Sequence, residues 1–287
     1  MMTTQVSAQG VVNGYQMDST YTVNTVGERY DKTVFEYDKN GNCTTEYEYS
    51  YFDSTEGYLS DKTITTYNEK NGVTGEESYS YEDGVATLEA RTECSDFNAD
   101  GQPTVMINYG IDDEAPEAGL QPQSKYVIAK FDGIAPVDAK IYQYDEGEWT
   151  EMGSMHFDYT SWGGVSKETT TFSFMGMALN ETTTYEYDSH HNVTKEVSAS
   201  DFGGGSTAEY VNSYDDRDLM VSRTEAYDGE PSFVSHFFWS KPGQNSIDAI
   251  TAMRQAMRSC YDLKGRLHEQ PQRSGVYILN GKKRLVK

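Results

Sequence analysis

A short motif that recurs along this chain constrains its fold more than any other feature. Each copy has an aromatic residue, then Asp or Asn, then turn residues that often include Asn or Gly, and finally a polar β-branched run. Asn-Gly and Asp-Gly tolerate positive φ and close tight hairpins whose twist suits the flanking strands. The spacing therefore predicts a meander of antiparallel hairpins, each stacked on its neighbour. The aromatic residues of the six copies are Tyr37, Tyr67, Phe97, Tyr144, Tyr187 and Tyr214, and the first three lie 30 residues apart.

Between the turns, aromatic residues alternate with Glu, Thr and Ser. Period two places the rings on one face of a sheet and the polar side chains on the other. The chain has 23 Tyr among 287 residues but few aliphatic side chains, so we expect most of the rings to form the core. The alternative is an exposed aromatic face that stacks on sugar rings while Asp, Asn and Thr bond the hydroxyls. The alternating sets are Tyr47, Tyr49 and Tyr51; Tyr79 and Tyr81; Tyr142 and Tyr144; Phe157 and Tyr159; Phe172 and Phe174; Tyr185 and Tyr187.

These patterns predict an all-β chain in which antiparallel hairpin repeats form an extended or curved, solenoid-like sheet with a short C-terminal hairpin. Residues 11–240 form the repeat body, and the aperiodic, proline-containing segment 111–124 predicts a loop that could subdivide it. Residues 1–10 are either a signal-peptide remnant or a frayed terminus. The first alternative rests on Val6-Ser7-Ala8, which suits a signal-peptidase site and predicts a mature start near Gln9.

The charge changes sign near Lys241. Residues 241–287 hold ten Lys and Arg against three Asp and Glu, whereas residues 1–240 hold 13 against 43. So acidic a body repels phosphate backbones, and nucleic-acid binding is not expected. The step marks residues 241–287 as a separate basic linker and tail. No run approaches the roughly 18 apolar residues of a membrane-spanning helix, so no membrane span is expected.

The repeat resembles the YD repeats of RHS-type bacterial surface proteins. The likeness rests on the Tyr-Asp-x-x-Gly-Asn spacing, as in Tyr37-Asp38-Lys39-Asn40-Gly41-Asn42, and covers residues 28–230. It implies a bacterial surface protein built from β-hairpins. The long regular array and self-cleaving core of the large RHS shells are missing here, which favours a small open sheet or curved solenoid over a closed toxin cage.

The tail resembles the end of type IX secretion C-terminal sorting domains. The likeness rests on Tyr261-Asp262-Leu263-Lys264-Gly265-Arg266, on Gly275-Val276-Tyr277, and on the closing basic strand Lys282-Lys283-Arg284. It implies that the secretion machinery recognises the tail, that the protein crosses the outer membrane, and that the tail is lost on attachment to a surface glycolipid. Sorting domains usually span a full small sandwich, whereas the match here is clear only from about residue 246. The alternative is a plain terminal hairpin.

Two features could carry metal or redox chemistry. Asp96, Asn98 and Asp100 match the first half of a calcium loop, with oxygen ligands at alternate positions before a glycine. The acidic residue of the twelfth position is missing, and the same residues also fit one more hairpin turn of the repeat. Cys43 and Cys94 could form a disulfide outside the cell, or remain unpaired thiols in strands.

No catalytic or cofactor-binding motif is present: the chain has no nucleophile elbow, phosphate loop or dinucleotide-binding glycine pattern. The expected function is therefore that of an exported, surface-attached structural or adhesion-type protein without catalysis or cofactors. Its partners would be the secretion machinery and a surface polysaccharide or host glycan. The alternatives are a carbohydrate-binding surface protein that uses the tyrosine faces and a secreted glycan-active enzyme with paired carboxylates.

Overall fold

The computed structural model describes residues 12–52, 56–112, 116–174 and 177–242, together with four short strands nearer the C-terminus. The chain divides into two compact units, and the boundary falls between Trp239 and Ser240. The strands of the first unit are β1 (Gln16–Asn24), β2 (Arg29–Tyr37), β3 (Cys43–Ser50), β4 (Tyr58–Tyr67), β5 (Val73–Glu82), β6 (Val85–Phe97), β7 (Pro103–Ile111), β8 (Leu120–Asp132), β9 (Ala135–Asp145), β10 (Glu148–Tyr159), β11 (Val165–Phe174), β12 (Met177–Tyr187), β13 (Val193–Ser200), β14 (Gly205–Tyr214), β15 (Met220–Tyr227) and β16 (Glu230–Ser240).

The sheet of the first unit closes into a barrel. Each strand pairs with the next along the chain, and β1 also pairs with β16. At this seam Thr22 Oγ1 lies 3.2 Å from Ser235 Oγ, and the Tyr21 and His236 rings stack with centroids 4.7 Å apart. The expected extended or solenoid-like sheet is therefore wrong, although the all-β class and the antiparallel hairpins are confirmed. Closure gives the backbone groups of both edge strands a partner, which an open sheet would leave exposed.

Six hairpin turns at one end of the barrel share one geometry. They are residues 38–42, 68–72, 98–102, 160–164, 188–192 and 215–219, and we call them the Asx turns and their end of the barrel the Asx end. The side-chain oxygen of the first residue accepts backbone N–H bonds from within the turn. Asp38 Oδ1, for example, accepts from Asn40 and Asn42 at 2.8 and 2.9 Å. The fourth residue has positive φ, 88° at Gly41 and 66° at His191. These two requirements explain why Asp or Asn begins the motif and why Gly or Asn follows.

Beside five of the six Asx turns, a β-bulge shifts the register and turns the aromatic residue before the turn towards the barrel interior. Phe97 is the exception, because its pairing continues without a shift and its side chain is 41% exposed. Tyr37 pairs with Cys43, whereas the preceding Glu36 pairs with Thr45. The Tyr37 hydroxyl donates to the carbonyl of Met17 at 2.8 Å, which ties the turn to a strand further back in the sheet. Each such bond contributes about 1 kcal/mol. The same bond joins Tyr67 to Cys43, Tyr159 to Pro136, Tyr187 to Val165 and, through its indole N–H, Trp239 to Met220.

The motif copy predicted at Tyr144 is not an Asx turn. Glu146 and Gly147, with φ of 47° and 92°, form a two-residue turn at the opposite end of the barrel. The Asx turn of this region follows Tyr159 instead. There Thr160 Oγ1 accepts the N–H of Gly164 at 3.0 Å, so a threonine takes the role of Asp.

The remaining predictions of the organisation concern the middle segment and the termini. Pro116–Ala118 form a 3-10 turn between β7 and β8, which pair with each other across it. Residues 1–10 lie outside the described residues. In the second unit, β17 (Cys260–Asp262), β18 (Leu267–His268), β19 (Gly275–Leu279) and β20 (Lys282–Val286) form a four-stranded sheet. Its last two strands pair from Gly275–Val286 to Leu279–Lys282, as predicted for a terminal hairpin.

Candidate functional site

The barrel encloses a cavity of about 580 Å³ on its inner wall. Side chains of nine consecutive strands, β3 to β11, line it. The volume lies within the range of roughly 300–1,000 Å³ typical of small-molecule sites. Ile134, which is 68% exposed, lies in the β8–β9 connection and marks the mouth at the Asx end. The lining residues are Cys43, Glu46, Thr65, Tyr67, Val73, Glu76, Thr92, Gln102, Pro103, Met106, Asn108, Tyr126, Ile128, Phe131, Ile134, Pro136, Phe157, Tyr159 and Val165.

Two carboxyl groups, those of Glu46 and Glu76, face this cavity. Burial raises the pKa of both groups, and the charge of Glu76 raises the pKa of Glu46 further. The Thr65 hydroxyl bonds Glu76 and partly offsets the effect of burial. Glu46 also lies beside the thiol of Cys43, whose Sγ is 3.8 Å from Glu46 Oε1. The cavity therefore holds two acidic groups that lack the hydration they would have on the protein surface.

Aromatic rings form another part of the lining. Tyr126 and Phe157 are buried, with 8% and 3% exposure, and belong to the core cluster that closes the cavity. The hydroxyls of Tyr67 and Tyr159 donate to backbone carbonyls at 2.7 and 2.6 Å. These bonds fix both rings in place and leave the rings, rather than the hydroxyls, to contact a ligand.

A chain of polar side chains continues from the cavity along the inner wall. Thr92 Oγ1 donates to Asn108 Oδ1 at 2.9 Å, and Asn108 Nδ2 donates to Ser124 Oγ at 3.1 Å. The Asn108 amide is thereby held in one orientation. The cavity thus combines aromatic faces, two carboxyls and oriented hydroxyl and amide groups, a composition suited to ligands with both apolar faces and hydrogen-bond donors.

Half of the tyrosine rows predicted to form the core lie on the outer wall instead. Glu46 and Glu76 face inward, so the alternation turns Tyr47, Tyr49 and Tyr79 outward. Basic side chains cover several rings: Lys62 Nζ lies 5.4 Å from the Tyr47 ring centroid. The reason is the width of a closed barrel of this size, whose lumen side chains cannot fill and which therefore suits polar residues. By contrast, Phe157, Phe172 and Tyr185 do face inward.

The outer wall carries ion pairs in the middle of its strands. Arg91 lies 3.0 Å from Glu77, and Lys140 lies 2.8 Å from Glu151. On a lipid-facing wall, a basic residue at the bilayer midplane would cost about 2–4 kcal/mol. These positions are suited to water. Within the described residues, no helix is long and apolar enough to cross a membrane.

The residues of the calcium candidate form an Asx turn. Asn98 Oδ1 accepts the backbone N–H groups of Asp100 and Gln102 at 2.9 and 3.0 Å, which matches the turn alternative. Asp96 has a positive φ of 52° at the end of β6. Across the ranges that the structure describes, no group of three or more His, Cys, Asp or Glu side chains is placed to hold a metal ion.

The two body cysteines are free thiols in the structure. Burial, together with the nearby carboxylate of Glu46, raises the pKa of Cys43 to about 12. Burial and the charge of Glu76 raise the pKa of Cys94 to about 11. Both thiols therefore stay protonated and weakly reactive at neutral pH.

The sequence did not identify the cavity residues. Glu46 and Glu76 are two of 46 acidic residues, and nothing local distinguishes them. The alternation of side chains could have indicated them, because Glu46 and Glu76 lie on the face of their strand that does not carry the outward tyrosines. That signal becomes informative only after closure decides which face is the inner one.

No protein-family model matches this chain, and no curated protein matches it. Three similar solved structures are from bacteria. A protein of unknown function from Bacteroides fragilis is 14% identical over 42% of this chain and 89% of its own, with a TM-score of 0.34. A porin-like protein from Bacteroides uniformis is 10% identical over 78% and 96%, with a TM-score of 0.38. The Tc holotoxin pore of Photorhabdus luminescens is 9% identical over 88% and 18%, with a TM-score of 0.29. At these TM-scores the likenesses support no inference about this chain.

Proposed function

We propose that this protein is an exported, surface-attached binding protein of the adhesion type, and that its barrel captures carbohydrate in the lumenal cavity. The cavity carries the proposal, because aromatic rings, two carboxyls and several oriented polar groups share its lining. Aromatic faces pack against the apolar faces of sugar rings, while carboxyl and amide oxygens accept bonds from sugar hydroxyls. The hypothesis that aromatic faces bind sugar rings thus applies to the rings that line the lumen, and not to those on the outer surface of the sheet.

Attachment at the cell surface rests on the tail, which resembles a type IX sorting signal, and on the water-suited outer wall. The charged pairs of that wall, such as Arg91 with Glu77, favour a barrel held in water at the surface over one embedded in lipid. Peptide mapping of the mature protein from the outer surface of its native cell tests this delivery. A start near Gln9 and loss of residues beyond about 241 support export and tail processing. A full-length intracellular chain contradicts them.

Blocking the cavity mouth tests the binding function. Ile134→Arg places a long charged side chain at the mouth without touching the buried core, since Ile134 is 68% exposed. Val26→Arg is the matched control, because Val26 is 76% exposed at the other end of the barrel. On a glycan array, we expect the wild type and Val26→Arg to bind the same oligosaccharides and Ile134→Arg to lose them. Equal binding by Ile134→Arg, or none by the wild type, rejects the lumen as the site.

A second candidate function, glycan hydrolysis, is favoured by one observation. Two carboxyls with raised pKa share the cavity, and a carboxyl that stays protonated at higher pH can act as a general acid. Release of reducing ends from a bound oligosaccharide is the measurement. Turnover that disappears in both Glu46→Gln and Glu76→Gln promotes the enzyme, while binding without turnover leaves the adhesion-type function in place.

A further inference from the structure

The charge of the cavity lining narrows the kind of sugar that can bind. The lining contains two carboxyl groups and, among the described residues, no Lys, Arg or His. Glu46 and Glu76 form no ion pair within the described part of the barrel. The cations of neighbouring strands turn outward instead, as Lys62 does over Tyr47 and Arg91 does beside Glu77.

Within the cavity lining, the negative charge of these two carboxyl groups is therefore not balanced by a basic side chain. Burial raises the pKa of Glu46 and Glu76, which reports that the surroundings disfavour their charged forms. A ligand that brings a positive charge near these carboxylates stabilises their charged forms, because opposite charges a few ångströms apart attract strongly where water is scarce. A neutral ligand brings no such attraction, and an anionic ligand adds repulsion.

The aromatic part of the lining favours the same charge. The faces of aromatic rings carry negative partial charge and attract cations within about 6 Å. Tyr67 and Tyr159 are fixed by their hydroxyl bonds to backbone carbonyls, so their rings cannot turn away from the cavity. Phe157 and Tyr126 are held by the core cluster. The cavity lining therefore offers carboxyl groups and ring faces, the two kinds of group that attract ammonium groups.

Resting on the proposed carbohydrate-binding function, we propose that the cavity selects amino sugars with a free, protonated amine, held by Glu46 and Glu76 with the sugar ring against the aromatic wall. N-acetylation removes the positive charge and the ammonium donors, so acetylated sugars bind more weakly. Uronic acids are excluded by repulsion from the two carboxylates.

Calorimetric titration of the full-length protein tests the selection with three probes: a β-1,4-linked glucosamine tetramer, its fully N-acetylated counterpart and a tetragalacturonate. At neutral pH we expect the glucosamine tetramer to bind at least tenfold more tightly than the acetylated one, and the galacturonate not to bind. We also expect binding of the glucosamine tetramer to weaken as the pH falls and protonates the carboxyls.

The cationic probe could also be attracted to the whole acidic protein, whose formal net charge is −23. Two neighbouring residues of one strand provide the control for this attraction. Glu76→Gln and Glu77→Gln remove the same charge, but Glu76 faces the cavity and Glu77 pairs with Arg91 on the outer wall. Only Glu76→Gln should abolish the preference for the free amine. Since it removes a charge that burial disfavours, we expect this variant to fold.

The outcomes distinguish a failure of the amino-sugar selection from a failure of the proposed carbohydrate binding. Equal affinity for the free and acetylated tetramers, with no effect of Glu76→Gln, overturns the charge selection and leaves carbohydrate binding in place. Equal losses in Glu76→Gln and Glu77→Gln show that general electrostatic attraction is responsible, which also overturns the selection. Failure of every glycan to bind overturns the proposed function itself.

Discussion

The two ends of the barrel are built differently, although the same strands supply both. At the Asx end, neighbouring turns lock together: Asn68 Nδ2 donates to the carbonyl of Gly101 at 2.7 Å, and Asn42 Nδ2 donates to Asn71 Oδ1 at 3.0 Å. Buried residues concentrate there, including the fully buried Leu219. The cavity mouth lies at this end, where the packing can hold its walls in place.

The opposite end is an acidic rim with exposed apolar side chains. The described residues of its connections contain eight Asp and Glu and no Lys or Arg; they are residues 25–28, 51–52, 56–57, 83–84, 112, 116–119, 146–147, 201–204 and 228–229. Val26, Phe52 and Val85 there are at least 67% exposed. The repeat motif therefore determines only one end of the barrel. Its Asx, glycine and aromatic positions build the Asx end, whereas the connections at the opposite end share no such motif.

The largest expected difference between the ends comes from a large-to-small substitution. Leu219→Ala removes a fully buried side chain from an Asx turn and should lower the free energy of unfolding by about 2–5 kcal/mol. Phe202→Ala, on a rim residue that is 61% exposed, should change it by less than about 0.5 kcal/mol. Urea unfolding of both variants measures the two values. Similar losses would show that the ends do not differ in packing.

Two glycines with the same backbone conformation sharpen the comparison. Gly101 at the Asx end and Gly84 at the rim have φ of 82° and 78°, so alanine strains both by roughly 1–2 kcal/mol. A Cβ on Gly101 would also lie 2.5 Å from Lys70 Cβ, whereas a Cβ on Gly84 meets nothing within 4 Å. We expect Gly101→Ala to cost about 1 kcal/mol more than Gly84→Ala in thermal unfolding. Equal losses of stability in the two variants would mean that the close contact between the Asx turns at Gly101 and Lys70 does not affect stability.

Removal of one hydroxyl should have a smaller effect. Tyr67→Phe loses the bond to the carbonyl of Cys43 and leaves a buried acceptor unpaired, which should cost about 1 kcal/mol. Tyr79→Phe removes a hydroxyl that bonds Glu77 on the outer wall, where water replaces it, and should leave unfolding unchanged. A Tyr67→Phe variant as stable as the wild type would reject the anchoring role of the motif's aromatic residue.

A change of pH should have the smallest effect on the free energy of unfolding per carboxyl group. The sign of this effect differs between the carboxyls of the lumen and those of the turns. Burial raises the pKa of Glu46 and Glu76 above the ordinary 4.5, so the folded protein takes up protons first and gains stability as the pH falls towards 4.5. Although burial opposes it, hydrogen bonds from side chains (Asn42 to Asp38, Tyr214 to Asp188) and from backbone N–H groups hold the pKa of Asp38 and Asp188 below the ordinary 3.8. Their contribution to stability is therefore present above pH 3.8 and is lost at lower pH.

Thermal unfolding across this range should therefore show a stability maximum in mildly acidic solution. The double variant Glu46→Gln and Glu76→Gln should reduce the rise in stability between neutral pH and the maximum without altering the loss at lower pH; burial also raises the pKa of Asp31, Glu48, Glu168 and Glu196, which keep part of the rise. A wild type whose stability falls steadily from neutral pH downwards would contradict the desolvation of the lumenal carboxyls.

Local chemistry made the turns predictable. Five of the six Asx turns follow from Asp or Asn side chains and positive-φ positions, which act within a few residues of sequence. The exception, Thr160, supplies the same oxygen from a different residue type. Tyr144 shows the reverse error, because an aromatic-Asp pair before Glu-Gly also suits a two-residue turn at the other end.

Closure and the cavity could not be predicted because both depend on contacts between residues far apart in sequence. Thr22 and Ser235, which meet at the seam, are separated by nearly the whole body. The strand that pairs with β1 is β16, the last strand of the barrel in the sequence. Which face of each strand is internal follows from this closure, and so the interpretation of the tyrosine rows was wrong for the outer wall.

The closed barrel is the feature on which the lumen, the cavity and the proposed function depend, and a disulfide across the seam tests it most directly. In the double variant Thr22→Cys and Ser235→Cys, the two thiols replace oxygens that lie 3.2 Å apart. After mild oxidation, mass spectrometry of proteolytic peptides should find residues 22 and 235 linked within one chain in most molecules, with no link in either single variant. Intact peptides at both positions, with the protein folded, would show that β1 and β16 are not neighbours and that the sheet is open.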